Sequence, residues 1–209
     1  MPQVTVYSDY KSPYAYLAKG PIQALEQELG LAFDWLPYVL DIPSYLGSAE
    51  VDERGGVLNA SRNAHQWRRV RYSYMDCRRE ARKQGLTILG TRKIWDSSLA
   101  AIGMLWAKRA GAQVFRTYHN KVFECFWRRE LDIEDASVIE AVLHEAGAAT
   151  TGFADYLAGE GAAERTAVQE AAEAAGVFGV PTFLIEGEIF WGREHIANVR
   201  ELLLAARGR

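Results

Sequence analysis

The chain has 209 residues, of which 49% are hydrophobic and 24% are charged, and its formal net charge is -3. This length is enough for one good-sized domain with a substantial core, and the composition is that of an ordinary globular protein. The negative net charge argues against general nucleic-acid binding, and neither a secretory signal nor a membrane-length apolar run is present, so we expect a cytoplasmic protein.

The first forty residues predict a strand, a helix and a second strand. Residues 4–7 are β-branched and aromatic, and apolar residues then recur with helical spacing until Gly30. Residues 32–36 alternate in polarity and stop at Pro37. This order predicts a βαβ unit, whose parallel strands need a right-handed crossover.

The middle of the chain predicts a loop followed by helices. Pro43, Gly47 and Gly55 interrupt the segment that begins at Asp41, and no strand pattern is evident between there and Ala175. The predicted helices cover residues 60–84, 97–110, 113–127, 137–146, 154–158 and 162–175.

Strand signals return near the C-terminus. Residues 182–185 and 188–191 predict a hairpin, and residues 196–206 predict an amphipathic helix whose apolar face would cover a sheet. The whole order predicts an α/β fold with a thioredoxin-like sheet and a helical domain inserted in its middle. We assign residues 1–40 and 176–209 to the thioredoxin-like domain and 41–175 to the insertion, whose last helix, about 162–175, is a candidate for packing on the sheet.

Ser12 is the first candidate for chemistry, because Ser12-Pro13 opens the predicted first helix. Free amides and the positive end of the helix dipole meet there, so a bound thiolate would be stabilised by the backbone and by the Ser12 hydroxyl. A serine at this position is also the commonest helix N-cap, and that structural role is the alternative.

Val180-Pro181 is the second candidate, because a proline that enters a strand beside a helix end is compatible with a cis peptide bond. Such a bond would turn the Val180 backbone towards an extended ligand, which could pair with it as an additional strand does. The alternative is an edge-strand proline without a ligand.

Cysteines and histidines give little support to other chemistry. Cys77 and Cys125 are far apart and form no C-x-x-C motif, and the four histidines have no metal-binding spacing, so we expect no metal site. Residues 62–93 are locally basic, with ten Lys or Arg against Asp76 and Glu80. This segment is either a solvated helix face or a surface that attracts an anionic substrate.

Three motifs carry a resemblance to a known family. They are residues 12–18 (SPYAYLA), 178–183 (FGVPTF) and 190–194 (FWGRE). In this order they resemble the 2-hydroxychromene-2-carboxylate isomerases and the related kappa-class glutathione transferases. The resemblance covers nearly the whole chain and implies a DsbA-like thioredoxin fold, binding of reduced glutathione and a homodimer.

The resemblance also implies roles for individual residues. Ser12 would contact the glutathione sulfur, and the backbone of Val180, before a cis Pro181, would pair with the cysteinyl part of glutathione. Arg193 and Glu194 would lie near the γ-glutamyl group. Relatives usually carry a small polar residue and Asp at these two positions, so Glu194 keeps the acid whereas Arg193 departs from the pattern.

The resemblance implies isomerisation of an aromatic-degradation intermediate, in which the glutathione thiolate acts as nucleophile and is regenerated. Trp95 and Asp96 are candidates for binding the aromatic substrate, and other candidates for an aromatic wall are Trp67, Tyr74 and Trp127. The candidates for binding its carboxylate are Arg62, Arg69, Arg71 and Arg92, among which the sequence does not decide.

Three other functions remain open from the sequence. A kappa-type transferase or peroxidase would use the same thiolate. A DsbA-type thiol oxidoreductase would share the fold, but Ser12-Pro13-Tyr14-Ala15 lacks both cysteines of the C-x-x-C motif. A non-catalytic binding protein would retain the fold without the chemistry.

Overall fold

The computed structural model describes residues 2–208 and contains a four-stranded sheet with helices between and after its strands. The strands of this sheet are β1 (Val4–Ser8), β2 (Asp34–Pro37), β5 (Thr182–Ile185) and β6 (Glu188–Trp191). Their order is β2-β1-β5-β6, with β1 parallel to β2 and antiparallel to β5, and with β5 antiparallel to β6. The predicted βαβ unit and C-terminal hairpin are therefore confirmed.

Helices connect and cover these strands. They are α1 (Pro13–Leu29), α2 (Ile42–Leu46), α3 (Ala64–Lys83), α4 (Ser98–Arg109), α5 (Ala112–Trp127), α6 (Ala136–Glu145), α7 (Phe153–Ala158), α8 (Glu160–Ala174) and α9 (Ile196–Arg207), with a short 3-10 turn at Arg193–His195. The apolar face predicted for the last helix is buried at Val199 and Leu203. Gly30 caps the C-terminus of α1, and its positive φ of 62° suits a glycine.

The predicted loop before α3 contains a small hairpin that the sequence interpretation missed. Strands β3 (Ala49–Val51) and β4 (Val57–Ala60) pair in antiparallel fashion, and Ala60 therefore belongs to a strand rather than to the predicted helix from residue 60 to 84. Helix α3 begins only after Asn63, whose side chain accepts a hydrogen bond from the Gln66 amide. All of β4 is exposed, so its residues need not alternate in polarity and leave no strand pattern to detect.

Polar contacts join the helices of the middle segment to the sheet. The Lys108 ammonium of α4 donates to the Trp35 carbonyl at 2.6 Å and forms an ion pair with Asp34. The Gln169 side chain of α8 accepts from the Val39 amide at 2.9 Å, just after β2. The division into two domains at residues 40 and 176 stays a prediction, and these contacts cross it.

Helices α4 and α5 approach each other closely at Gly103. A Cβ at this position would lie 2.2 Å from the Tyr118 hydroxyl oxygen and 2.9 Å from Ile139 Cγ2. The Tyr118 hydroxyl donates to the Ala100 carbonyl at 2.8 Å, so it is held in that place.

We expect Gly103→Ala to lower the free energy of unfolding by about 1–3 kcal/mol, because overpacking forces neighbouring atoms to move. The Tyr118→Phe variant removes the nearest atom, so the double variant should lose less stability than the sum of the two single losses. Urea unfolding of the four proteins measures this coupling, and additive losses would contradict the packing argument.

Candidate functional site

The turn between β1 and α1 forms the floor of the candidate site. The Ser12 amide donates to the Asp9 carbonyl at 3.0 Å, and the Ser12 hydroxyl oxygen accepts from the Ala15 amide at 3.2 Å. Ser12 is therefore the N-cap of α1, with Pro13 in the first turn. Since the cap uses the oxygen as an acceptor, the hydroxyl hydrogen remains available to an anion.

Asp9 holds this turn in place. Its carboxylate accepts from the Leu40 amide at 2.8 Å and from the Lys11 amide at 3.2 Å, and the side chain is buried. Burial raises the pKa of the Asp9 carboxyl, while the nearby Lys11 ammonium and these two amides oppose that rise. On the other side of the turn, the Trp127 indole donates to the Tyr10 carbonyl at 3.1 Å.

The Val180–Pro181 peptide bond is cis and lies directly before β5. Val180 is buried, and within residues 2–208 its amide and carbonyl form no hydrogen bond, so both are available to a ligand. The Pro181 carbonyl accepts from the Gly192 amide at 2.8 Å. Gly179 lets Trp191 approach, because a Cβ there would lie 2.7 Å from the indole nitrogen.

Ser12 and Val180 open onto the same cleft, which has a volume of about 600 Å³. The inserted segment supplies its opposite wall through helix α2, strand β3, helix α3 and residues 89–95. The size is within the range of small-molecule sites. Three of the four aromatic side chains considered as a substrate wall, Trp67, Tyr74 and Trp95, line the cleft, whereas Trp127 is buried in the core.

Every charged residue in the described lining of the cleft is a lysine or an arginine. All four candidate arginines for a substrate carboxylate line it, together with Lys11, Arg78, Lys93 and Arg129, and no Asp or Glu occurs among the described lining residues. A cleft lined by charges of one sign attracts ligands of the opposite sign. The basic segment noted in the sequence therefore faces a cavity.

Some of these cations already form ion pairs or hydrogen bonds within the protein. Arg92 pairs with Glu53 at 3.2 Å, and Lys93 forms an ion pair with Glu134. Arg78 and Arg129 donate to the carbonyls of residues 88–90, so they hold that segment in place.

Arg62 is the best-positioned cation for a ligand carboxylate. Its Nε donates to the Leu46 carbonyl at 3.1 Å, its guanidinium lies 5.2 Å from the centre of the Trp67 ring, and both terminal nitrogens remain free among residues 2–208. Burial lowers the pKa of this guanidinium from its ordinary value, as expected for a partly desolvated cation. Arg69 and Arg71 also line the cleft, are exposed and form no ion pair within the described chain.

Other predicted site residues lie outside the cleft lining. Arg193 points to α3, where its guanidinium nitrogens lie 3.4 Å from a Glu80 carboxylate oxygen and 4.0 Å from one of Asp76. The exposed Glu194 carboxylate lies beside Gly192. Asp96 accepts from the Ser98 amide at 2.9 Å. Burial opposes ionisation of Asp96, but the Ser98 hydrogen bonds prevail and lower its pKa.

The sequence interpretation overlooked two contributors to the cleft. Lys11 is the residue directly before Ser12, a position that could have suggested a role, and it is buried against the cleft. Tyr45 belongs to α2, a helix that was not predicted.

Within residues 2–208 no group of three or more His, Cys, Asp or Glu could hold a metal ion, and no helix is long and apolar enough to cross a membrane.

Cys77 lacks the properties of a redox-active thiol. Cys77 is fully buried, and burial raises the pKa of its thiol to about 12. Cys125 is half-buried, and both residues are free thiols.

We therefore expect Cys77 to resist labelling in the folded protein at neutral pH, because little thiolate forms when the pKa is raised. The Cys125→Ser variant, which retains only Cys77, should react with a thiol reagent only after unfolding. The matched Cys77→Ser variant should react in the folded state. Rapid labelling of folded Cys125→Ser would contradict the burial argument.

Comparisons with known proteins agree with the fold. Residues 3–204 match the family model of the DSBA-like thioredoxin domain. Curated relatives named 2-hydroxychromene-2-carboxylate isomerase occur in Sphingobium xenophagum, with 25% identity over 206 residues, and in Pseudomonas putida, with 28% identity over 207 residues. These alignments cover 96% and 99% of this chain and 97% and 94% of the two relatives.

A solved structure of a 2-hydroxychromene-2-carboxylate isomerase superposes with a TM-score of 0.72 and 23% identity, covering 97% of this chain and 95% of that one. This likeness confirms the predicted DsbA-like thioredoxin fold with its substantial helical content.

Proposed function

Because this chain belongs to the family of DSBA-like thioredoxin domains, and its curated relatives are named as isomerases, we propose that it is a glutathione-dependent isomerase of the 2-hydroxychromene-2-carboxylate isomerase type. The observation that carries the proposal is that the Ser12 hydroxyl, at the N-terminus of α1, and the unpaired backbone of Val180 line one cationic cleft. Bound glutathione would supply the nucleophilic sulfur for reversible addition to the substrate.

The residues of this cleft fit that ligand. The Ser12 hydroxyl would donate its hydrogen to the sulfur while its oxygen continues to cap α1, and the dipole of α1 favours the same negative charge. The Val180 amide and carbonyl would pair with an extended peptide. Glu194 remains our candidate for the γ-glutamyl ammonium, whereas Arg193 is already engaged by two carboxylates of α3.

The substrate would occupy the part of the cleft formed by the insertion. Trp67, Tyr74 and Trp95 would contact its flat ring, and Arg62 would bind its carboxylate through the two terminal nitrogens. Asp96 lies outside the lining, so we retain only Trp95 of the original pair as a substrate contact.

A thiol oxidoreductase of the DsbA type fits the site less well. Ser12 occupies the helix N-terminus where that chemistry needs a cysteine, and the Cys77 thiol is buried and protonated at neutral pH. The names of the curated relatives favour isomerisation over a transferase or peroxidase reaction.

The first test measures glutathione binding and ionisation. We expect calorimetry to detect binding to the wild type, and we expect Ser12→Ala to raise the pKa of the bound thiol by about one unit or more, because a hydrogen bond to a charged group is lost. Activity, which should rise with pH as this thiol ionises, would require a correspondingly higher pH in the variant. Ser12→Thr, which retains both hydroxyl functions, should restore the wild-type titration.

Two controls separate this effect from loss of the helix cap. Asp135→Ala removes the N-cap of α6 and should cost about 1 kcal/mol of stability without altering the thiol titration. S-methylglutathione, whose sulfur cannot ionise, should bind wild type and Ser12→Ala almost equally. Absence of glutathione binding to the wild type, or an unchanged thiol titration in Ser12→Ala, would refute the proposed role.

The second test concerns substrate binding. We expect Arg62→Gln to raise KM for the aromatic carboxylate about tenfold or more with little change in kcat, because a charge-assisted pair is lost. Arg68→Gln is the matched control, since Arg68 is on α3 and outside the cleft lining. Equal effects of the two variants would argue against a specific contact with Arg62.

A further inference from the structure

Lys11 lines the cleft beside Ser12, and its ammonium has one ion-pair partner, Asp9, among residues 2–208. Its side chain is 6% exposed, and it lines the same cleft as Ser12, the next residue in the chain. The ammonium lies 3.8 Å from an Asp9 carboxylate oxygen, which is an ion-pair distance but too long for a hydrogen bond. Within residues 2–208 none of its three N–H groups has a hydrogen-bond acceptor.

The Asp9 carboxylate is already shared among other donors. The amides of Leu40 and Lys11 donate to its two oxygens, so it only partly balances the ammonium. A buried cation is costly unless an anion and hydrogen bonds compensate it. Lys11 lines the cleft directly before the N-terminus of α1, so its positive charge and the positive end of the helix attract the same negative charge.

We infer that Lys11 is a second anion-binding residue of the site, which pairs with the ionised sulfur of the bound thiol tripeptide alongside the Ser12 hydroxyl. This inference rests on the proposed function, because it assigns a residue to the same sulfur. The proton leaves the thiol for solvent.

Other charged groups act on Lys11 and must be included in any titration. Asp9 follows β1 and pairs with Lys11. Asp96 precedes α4, and the Lys11 charge is one of the causes that lower its pKa. The Asp9 charge helps to raise the pKa of Tyr45 on α2, after the larger effect of burial. Arg62 and Arg69 line the cleft on the opposite wall. Only Lys11 and Asp9 belong to the turn that carries Ser12, so changes at these two positions have the most direct effect.

The test is a titration of bound glutathione followed by the ultraviolet absorbance of its thiolate. Lys11→Met should raise the pKa of the bound thiol by about one to two units, since a cation within reach of an anion shifts its pKa by this order. Asp9→Asn should shift it the opposite way, because the ammonium then has no competing carboxylate. Lys11→Arg should retain most of the wild-type effect.

Controls separate this effect from folding and from general charge. Lys121→Met removes a lysine that lies outside the cleft lining and is paired with Glu145, and it should leave the titration unchanged. Lys11→Met leaves Asp9 buried with less compensation, so Asp9→Asn combined with Lys11→Met provides a neutral turn if the single variant fails to fold. The double variant should show the raised thiol pKa of Lys11→Met.

The outcomes distinguish this inference from the function on which it rests. If the wild type binds glutathione as a thiolate but the titration is the same in Lys11→Met or the double variant, Lys11 does not pair with the sulfur, and the proposed function stands. A rise in the substrate KM without a change in the thiol titration would overturn the inference in favour of a substrate contact. Failure of the wild type to bind glutathione would overturn both.

Discussion

The buried carboxylate of Asp9 is the contact on which the candidate site depends. It accepts amide hydrogens from Lys11, in its own turn, and from Leu40, where the chain leaves β2 towards the insertion. One side chain thus fixes the turn before α1 relative to both parallel strands. Because the Trp127 indole holds the Tyr10 carbonyl from the other side, Ser12 and Lys11 have little freedom in where they meet the cleft.

The insertion supplies the cationic and aromatic wall of the cleft. Helix α3 and the segment 89–95 bring arginines and aromatic rings to face the N-terminus of α1. Several of these cations form ion pairs or hydrogen bonds within the protein. Arg193, which follows β6, pairs with Glu80 of α3. Arg62, Arg69 and Arg71 line the cleft without an ion pair within residues 2–208, and their positive charge favours ligands with carboxylates or a thiolate.

Local patterns predicted the fold well. The period of apolar residues identified β1, α1 and most later helices, and the Ser12-Pro13 pair predicted the cap that the structure contains. The hairpin β3–β4 was not predicted because its strands are mostly exposed and carry no alternating pattern. The direction of Arg193 could not be predicted either, because its partners Asp76 and Glu80 lie more than a hundred residues earlier in the chain.

Ser12 explains how such a site can work without a thiol of its own. A serine oxygen accepts from the Ala15 amide and still has a hydrogen to donate, so the same group can cap the helix and bind an anion. Cys77 cannot supply the nucleophile, since burial keeps it protonated. In the function we propose, the nucleophile enters with a ligand, and a cleft lined by cations and by the unpaired backbone of Val180 suits a small anionic peptide.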